Sequence, residues 1–175
     1  MIDRIDVTAG DVGWRQAAPL LKAIWSPEVV ATLPWRDVVW AAPDQRVLAF
    51  NAAGEIIGHV AIIVREATLD GRAVKIGGLG GVATRDDSRR RGVARAAMST
   101  AVQQIRNVHD VDFGLLFCEP RHAALYEKLG WRSFQGDVFV QQAQGRVRFE
   151  VTGPYVFDLK MMPRSGLLDL CGLPW

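Results

Sequence analysis

Residues 75–108, KIGGLGGVATRDDSRRRGVARAAMSTAVQQIRNV, decide how the rest of the chain must fold. Four glycines lie within five positions of the first half, at Gly77, Gly78, Gly80 and Gly81. Inside a strand, such glycines are typical of a bulge or of a close backbone approach by a ligand. The second half carries small and apolar residues at three- and four-residue spacings, which predicts a helix with one buried stripe. That stripe comprises Ala94, Ala97, Met98, Ala101, Val102, Ile105 and Val108.

The junction between the predicted strand and helix is strongly basic: Arg89-Arg90-Arg91-Gly92-Val93-Ala94. The first N–H groups of a helix have no intrahelical partner, and the helix dipole places partial positive charge there. A glycine at this point lets an anion approach the backbone, and the arginines add a cationic field. The junction therefore predicts a site for a diphosphate group. A solvated basic run at the start of an ordinary helix is the alternative, and these residues alone leave both open.

Two motifs resemble those of a known superfamily. Arg89-x-x-Gly92-x-Ala94 is similar to the Gln/Arg-x-x-Gly-x-Gly/Ala signature of the GNAT superfamily of acyl-CoA-dependent N-acetyltransferases. Residues 123–131, AALYEKLGW, are similar to the second motif of that family, a helix that ends in Tyr-x-x-x-Gly-Phe/Trp. The resemblance covers roughly residues 54–131 well. It implies an α/β GNAT fold: a mixed, mostly antiparallel sheet that splays open at a bulged strand, with helices on both faces.

The resemblance also implies the cofactor and the residues that bind it. Acetyl-CoA would be the co-substrate, and no metal is expected. A backbone N–H near the strand bulge would stabilise the charge that develops on the thioester oxygen. The implied cofactor-binding residues are Val82, Ala83, Thr84, Arg89, Arg90, Arg91, Gly92, Val93 and Ala94.

The family's thiol acid is commonly the tyrosine of the second motif, which is Tyr126 here. A half-buried packing role is the alternative for this residue. Glu119 and His122 flank the strand-to-helix joint and are the candidate catalytic bases, although many relatives have asparagine and alanine there. For Glu119, capping of the helix start is the competing explanation. His59 is a further titratable candidate, but a structural role is expected of it, and Cys118 is expected to be a buried structural thiol.

The amine acceptor is left open by the sequence. Residues 58–84 are similar to the aminoglycoside 2'-N-acetyltransferases within the superfamily. So is the tail, in which residues 155–157 enter a strand and the sequence ends at Trp175. That subfamily has a glutamate at the bulge where this chain has Gly80. It also has an acidic loop before the strand of the tail, where this chain has mainly residues 150–153, with Glu150 as the single acidic residue among them. An aminoglycoside is therefore one candidate acceptor among other amines. The implied substrate-binding residues are Trp35, Gly80 and Trp175, the last also through its α-carboxylate, whereas a core role is the alternative for Trp25, Trp35 and Trp40.

Composition argues against a nucleic-acid-binding, a membrane-spanning or a disulfide-rich protein. A chain of 175 residues with 49% hydrophobic and 23% charged residues suits one folded domain, which we place at residues 1–175. The net charge of +2 is too small to argue for a nucleic-acid partner, and the basic patch at residues 85–95 lacks interleaved aromatic residues. With two cysteines, no signal peptide and no membrane span evident, we expect a cytoplasmic protein with reduced thiols.

A homodimer is compatible with the sequence. A GNAT-fold protein that binds acyl-CoA without catalysis is the rival function.

The remaining elements follow from hydrophobic periodicity and turn residues. We predict a strand at 2–7, a helix at 12–25 with Asp11 as N-cap, and a helical region at 28–39. A hairpin should join 46–51 to 55–66, and Asp70-Gly71 should turn the chain into the strand at 73–84. A strand at 111–118, a helix from 119 to 130 and strands at 138–142, 146–151 and 155–160 complete the prediction. The last fifteen residues are predicted to be irregular.

Overall fold

The structure is a computed structural model that describes residues 1–175, and its ten strands form one sheet. The strands are β1 (Arg4–Ala9), β2 (Gln45–Phe50), β3 (Ile56–Leu69), β4 (Arg72–Thr84), β5 (Phe113–Cys118), β6 (Arg132–Ser133), β7 (Asp137–Gln142), β8 (Gly145–Arg148), β9 (Gly153–Asp158) and β10 (Leu167–Asp169). The α-helices are α1 (Gly10–Ile24), α2 (Pro27–Val30), α3 (Val93–Asn107) and α4 (Ala123–Lys128). Short 3₁₀ helices lie at Asp86–Ser88 and Pro120–His122.

The sheet is mixed and mostly antiparallel, as predicted. Its strands follow the order β6-β9-β5-β4-β3-β10-β7-β8. In addition, β2 pairs with residues 56–62 of the long strand β3, and β1 pairs with β2. Only the pairs β4–β5 and β10–β7 are parallel. Asp70 and Gly71 have φ of 50° and 78°, which confirms the predicted hairpin turn between β3 and β4.

The sheet splays open at its centre. Strands β4 and β5 pair only from Ile76 to Leu79 on β4, although β4 continues to Thr84 beside β3. The register between β3 and β4 shifts in this same region, because His59 pairs with Ala83 but Ala61 pairs with Gly80. One extra residue on β4 is therefore accommodated in a bulge opposite β3. The predicted splay at a bulged strand is confirmed.

A buried pair of side chains holds the bulge. Gly81 lies within it at φ +53°, a conformation that favours glycine. His59 Nδ1 lies 2.7 Å from the Gly81 carbonyl oxygen, and His59 Nε2 lies 2.9 Å from Nη1 of buried Arg46. Since a carbonyl accepts and a guanidinium donates, the imidazole is neutral with its proton on Nδ1. Arg46 in turn donates from Nε to the Gly10 carbonyl at 2.7 Å, so the network ties β2, β3, β4 and the start of α1 together.

The other glycines of β4 make room for neighbours on its two faces. A Cβ at Gly77 would lie 2.8 Å from the Ile105 side chain of α3. A Cβ at Gly78 would lie 2.1 Å from the Trp175 indole on the opposite face. The glycine-rich sequence thus lets a helix and the tail pack directly on the strand backbone.

Helices cover both faces of the sheet, which confirms the sequence-based expectation. On one face, the α1 residues Ala17, Leu20 and Leu21 pack against Leu48 and Phe50. On the other, the buried stripe of α3 packs in a cluster with apolar residues of β2, β3 and β4. The stripe ends at Ile105, because Val108 is 63% exposed. No helix is both long enough and apolar enough to cross a bilayer.

Three local predictions are wrong. Asp11 lies inside the first turn of α1, whose N-cap is Ala9, so its carboxylate is not the cap. The region predicted as helical at 28–39 contains only the four-residue α2 followed by turns, since Pro34 interrupts any continuation. The final fifteen residues are not wholly irregular, because β10 bridges β3 and β7 there.

The buried imidazole generates a prediction about stability and pH. Burial is the main cause that lowers the pKa of His59 from 6.5 to about 4. The unfolded chain therefore binds a proton between pH 6.5 and 4 that the folded chain does not. The stabilising effect of the neutral imidazole is complete above pH 6.5 and is lost as the pH falls from there through 4. We expect His59 alone to reduce the free energy of unfolding by about 3 kcal/mol between pH 7 and pH 4.

Denaturant unfolding of the wild type, His59→Asn and His122→Asn at pH 7 and pH 4 measures this contribution. The His59 variant should lose most of the difference between the two pH values, whatever its absolute stability. The exposed His122 serves as the control, and its variant should retain that difference. Equal pH dependence in the wild type and the His59 variant would contradict a buried neutral imidazole.

Candidate active site

The opening between β4 and β5 is the entrance to a cavity of about 980 Å³. The helices α1 and α4 and the start of α3 line it, together with the segment that joins α1 to β2. The strand β3, the bulged end of β4, the end of β5 and the tail complete the lining. Of the 36 lining residues 21 are hydrophobic, so the polar groups are few and can be considered individually. The cavity brings together the predicted cofactor, catalytic and acceptor residues.

The start of α3 forms one wall. Gly92 is its N-cap residue at φ +81°, no side chain caps the helix, and a Cβ at this position would meet no atom within 4 Å. The first amide groups of α3 therefore remain available to an anion. Arg89, Arg90, Gly92, Val93 and Ala94 all line the cavity. Arg91, which the sequence places with them, is exposed and outside the lining.

The bulged end of β4 lies beside this wall. Val82, Ala83 and Thr84 line the cavity immediately after the bulge. A Cβ at Gly58 of β3 would lie 2.4 Å from Val93 Cγ1, so the absence of a side chain there lets the first residue of α3 pack onto the sheet. The helix start and the end of β4 are thereby held on the same side of the opening.

Tyr126 lies on the α4 wall of the cavity and is 8% exposed. Its hydroxyl makes no hydrogen bond within the chain and is not sealed from solvent, which leaves it free to meet a ligand. Burial, and secondarily the nearby Cys118 thiol, raises the pKa of Tyr126 well above its usual value near 10. The phenol is therefore protonated throughout the neutral range, which is the state that a general acid requires.

The two candidate bases occupy different environments. Glu119 is at the predicted position, the N-cap of the 3₁₀ helix at 120–122, and its side chain makes no capping hydrogen bond. Its Oε1 instead accepts from Arg121 Nη2 at 2.9 Å. His122 lines the cavity from an exposed position. Glu119 is the single acidic side chain of the whole lining.

Cys118 and His59 have the structural character expected of them. Cys118 is 6% exposed, and burial raises the pKa of its thiol to about 11, so it is not a thiolate at neutral pH. His59 reaches the cavity wall, but both of its ring nitrogens are already hydrogen-bonded. No group of three or more His, Cys, Asp or Glu side chains is placed to hold a metal ion.

An aromatic wall forms the far side of the cavity. The rings of Trp25 and Trp35 meet edge to face at a centroid distance of 6.5 Å, and those of Trp35 and Trp40 at 5.8 Å. Trp40 continues the series to Phe149 at 6.2 Å. The three tryptophans are half-buried and line the cavity, and Trp25 and Trp40 also pack against the core clusters.

The tail completes this side. Trp175 is 7% exposed, and its Nε1 donates to the Leu115 carbonyl at 3.3 Å. Its carboxyl carbon lies 3.3 Å from where a Cβ at Gly80 would be, so the structure brings the two predicted residues Gly80 and Trp175, with the α-carboxyl group of the latter, together in the cavity wall. Ala41 N donates to the Pro174 carbonyl at 2.7 Å, which ties the aromatic wall to the tail.

Two residues were missed by sequence reasoning. Arg46 had no motif around it, and its role depends on His59, which is thirteen positions away on the neighbouring strand. Thr152 lines the cavity, and its Oγ1 is the one buried side-chain polar atom without a hydrogen-bond partner. A buried hydroxyl without a partner costs stability, so a bound molecule or water is the expected partner.

Comparisons with known proteins bear on the fold and the family of the chain. Over 95 residues, 54% of the chain, it is 30% identical to an aminoglycoside 2'-N-acetyltransferase of Mycolicibacterium fortuitum, and the match spans 48% of that protein. The structure is similar to the GNAT family N-acetyltransferase YhbS of Escherichia coli in complex with CoA, with a TM-score of 0.66, 17% identity, and coverage of 98% of this chain and 91% of that one. It also resembles ElaA of Escherichia coli, with a TM-score of 0.60, 13% identity, and coverage of 90% of this chain and all of that one.

A family model described as an acetyltransferase (GNAT) domain matches residues 10–134. This range contains the bulged strand, the start of α3 and α4. It covers well over half of the chain, and the chain therefore belongs to the GNAT family of acetyltransferases.

Proposed function

We propose that the protein transfers an acetyl group from acetyl-CoA to a primary amine by direct attack of the amine on the thioester. The observation that carries this proposal is the convergence of three features on one cavity: the open amides at the start of α3, the bulge of β4 and the Tyr126 hydroxyl. The CoA complex of the YhbS neighbour and the name of the curated relative support it.

The start of α3 would bind the diphosphate of the cofactor. Its unpaired amides and helix dipole favour negative charge, and Gly92 adds no side chain between the phosphates and the backbone. Arg89 is paired with Asp86 at 2.7 Å, whereas Arg90 has no acidic partner. Arg90 is therefore the more available cation for the phosphates.

The thioester would then lie in the splay, with its carbonyl oxygen toward the backbone amides of residues 82–84. These amides are fixed by the bulge, so little reorganisation is needed as negative charge develops on that oxygen. Tyr126 would protonate the departing thiolate, and Glu119 or His122 would receive the amine proton directly or through water. No covalent intermediate is required when both substrates lie side by side.

The rival function is acyl-CoA binding without catalysis. It is favoured by Gly80, which places no acidic side chain at the bulge, and by the pairing of Glu119 with Arg121. An acetyl-CoA consumption assay against a panel of primary amines separates the two functions. Turnover with any amine supports transfer, and binding of acetyl-CoA without turnover supports the rival.

Cofactor binding at the start of α3 predicts sensitivity to Gly92. Gly92→Val places a branched side chain where the phosphates would lie and strains a backbone at φ +81°. We expect acetyl-CoA affinity, measured by calorimetric titration, to fall by roughly tenfold or more. Arg89→Glu should also weaken binding, because it replaces a favourable charge with a repelling one.

Gly71→Val is the matched control. Gly71 has a similar φ of +78°, and a Cβ added there would likewise meet no atom within 4 Å, but it lies in the β3–β4 turn outside the cavity. The substitution should cost stability without changing acetyl-CoA affinity. Unchanged affinity in both Gly92→Val and Arg89→Glu would show that the cofactor binds elsewhere.

The role of Tyr126 predicts a loss of turnover without a loss of binding. Tyr126→Phe keeps the ring and removes the proton, so kcat should fall by roughly a hundredfold or more while the KM for acetyl-CoA changes little. Because burial raises the pKa of Tyr126, the wild type should show no loss of activity from Tyr126 ionisation below pH 10.

Tyr155→Phe is the control, since Tyr155 is the other tyrosine of the chain and does not line the cavity. It should retain wild-type turnover. If Tyr126→Phe keeps its rate within a factor of a few, Tyr126 is a packing residue and the thiolate receives its proton from another group.

A further inference from the structure

Arg46 is a buried cation in the cavity lining that no acidic side chain neutralises. It is 7% exposed, and its guanidinium carbon lies 5.1 Å from the centre of the Trp14 ring. Burial is the one cause that lowers the pKa of Arg46, and no Asp or Glu side chain offsets that effect. The α-carboxyl group of Trp175 lies at Gly80, two strands away in the same row of paired residues. Since an unpaired buried charge is costly, a role for the charge itself is expected.

The hydrogen bonds of Arg46 direct this charge into an imidazole and from there into the bulge. Arg46 Nη1 donates to His59 Nε2 at 2.9 Å, and His59 Nδ1 donates to the Gly81 carbonyl at 2.7 Å. Hydrogen bonds in series polarise one another, and a charged donor at the start of the series strengthens the later bond in a poorly solvated interior. The Gly81 carbonyl therefore accepts a stronger hydrogen bond than an isolated neutral imidazole would give it.

The Gly81 carbonyl shares a peptide group with the Val82 amide. No peptide bond of the chain is cis, so the C=O and the N–H of this group point in opposite directions. The carbonyl faces His59 on β3, and the Val82 N–H therefore faces the other edge of β4, where β5 has separated from it. Val82 also lines the cavity. Because the peptide group is delocalised, electron density drawn to the carbonyl oxygen makes this N–H a stronger donor.

We propose that Arg46 and His59 are positioning residues for acetyl transfer: they act through the Gly81–Val82 peptide group to strengthen the hydrogen bond from the Val82 amide to the thioester oxygen. We call Arg46, His59 and this peptide group the relay. The inference deepens the proposed function and rests on it for the identity of that oxygen.

The relay acts on the step in which negative charge develops. The amine nitrogen forms a bond with the thioester carbonyl carbon, and one electron pair of the C=O bond moves onto oxygen. The Val82 amide donates to this oxyanion, whose electron pair returns as the C–S bond breaks. The nitrogen loses one proton, the sulfur gains one, and Arg46 and His59 exchange none. Because the amide is oriented and polarised before the reaction, it stabilises the oxyanion more than the neutral thioester, and so it changes kcat more than KM.

Substitutions at Arg46 separate its charge from its contacts. Arg46→Gln removes the charge, whereas Arg46→Lys keeps the charge and loses the planar fork. We expect the kcat of Arg46→Gln to fall by roughly tenfold with the KM for acetyl-CoA within a factor of about two, and Arg46→Lys to retain most of the wild-type kcat. Arg65→Gln is the control, because Arg65 is a half-buried arginine against the Trp175 ring but lies outside the lining. An equal loss of kcat in both Arg46 variants, or a loss no greater than in the control, would overturn the proposal.

An infrared measurement reads the same hydrogen bond without requiring turnover. It uses acetyl-CoA that is isotopically labelled at the acetyl carbonyl, whose stretching frequency falls as the hydrogen bond to its oxygen strengthens. Binding should lower this frequency more in the wild type and in Arg65→Gln than in Arg46→Gln. Equal frequencies in the wild type and Arg46→Gln would overturn the proposal. A wild-type frequency that is not lowered on binding would overturn it without any variant.

The unliganded protein gives a reading that is independent of the proposed function. In a backbone NMR spectrum, the Val82 amide resonance should move upfield in Arg46→Gln, because the relay no longer polarises it, whereas the Gly92 amide resonance should not move. An unmoved Val82 resonance in folded Arg46→Gln would overturn the relay even if the protein acetylates an amine. Failure of acetyl-CoA to bind the wild type in calorimetry would overturn the proposed transfer, and the Val82 resonance would still decide whether the relay exists.

Discussion

The bulge in β4 is the constraint on which the rest of the site depends. It separates β4 from β5 just beyond their last shared pair and exposes the end of β4 to the cavity. The hydrogen bond from His59 to the Gly81 carbonyl fixes the bulge from within the sheet, and Arg46 holds the imidazole in the required tautomer. Because these groups are buried, breaking one contact leaves polar atoms without partners in a low-dielectric interior, which makes the arrangement specific.

Glycine serves a different purpose at each position around this bulge. Gly77 and Gly78 remove side chains so that Ile105 and Trp175 can pack on opposite faces of one strand. Gly81 provides the positive φ, and Gly92 leaves the start of α3 open. The glycine-rich part of β4 has few side-chain atoms of its own to bury. The neighbouring helix and tail supply the packing instead, which links α3 to the tail across one strand.

Much of this arrangement was predictable from local sequence. The glycine-rich strand, the basic turn and the apolar stripe of α3 are contiguous, so periodicity and turn chemistry suffice to place them. The second motif likewise places Tyr126 on a helix that faces the opening. The segment at 28–39 was not predicted correctly, because Pro34 interrupts its helical spacing and its Trp35 packs against Trp25 and Trp40 outside the segment. Strand β10 depends on β3 and β7, and the Arg46–His59 pair depends on strand register, so neither has a local signature.

We infer that the splay beside the bulge and the start of α3 together bind a CoA thioester. Backbone amide NMR during titration with acetyl-CoA examines this binding residue by residue, because it reports on each amide without requiring turnover. The largest shifts should fall on residues 82–84 and 92–95, with little change at the β7–β8 hairpin. Shifts confined to surfaces outside the cavity, or no shifts at saturating acetyl-CoA, would contradict it.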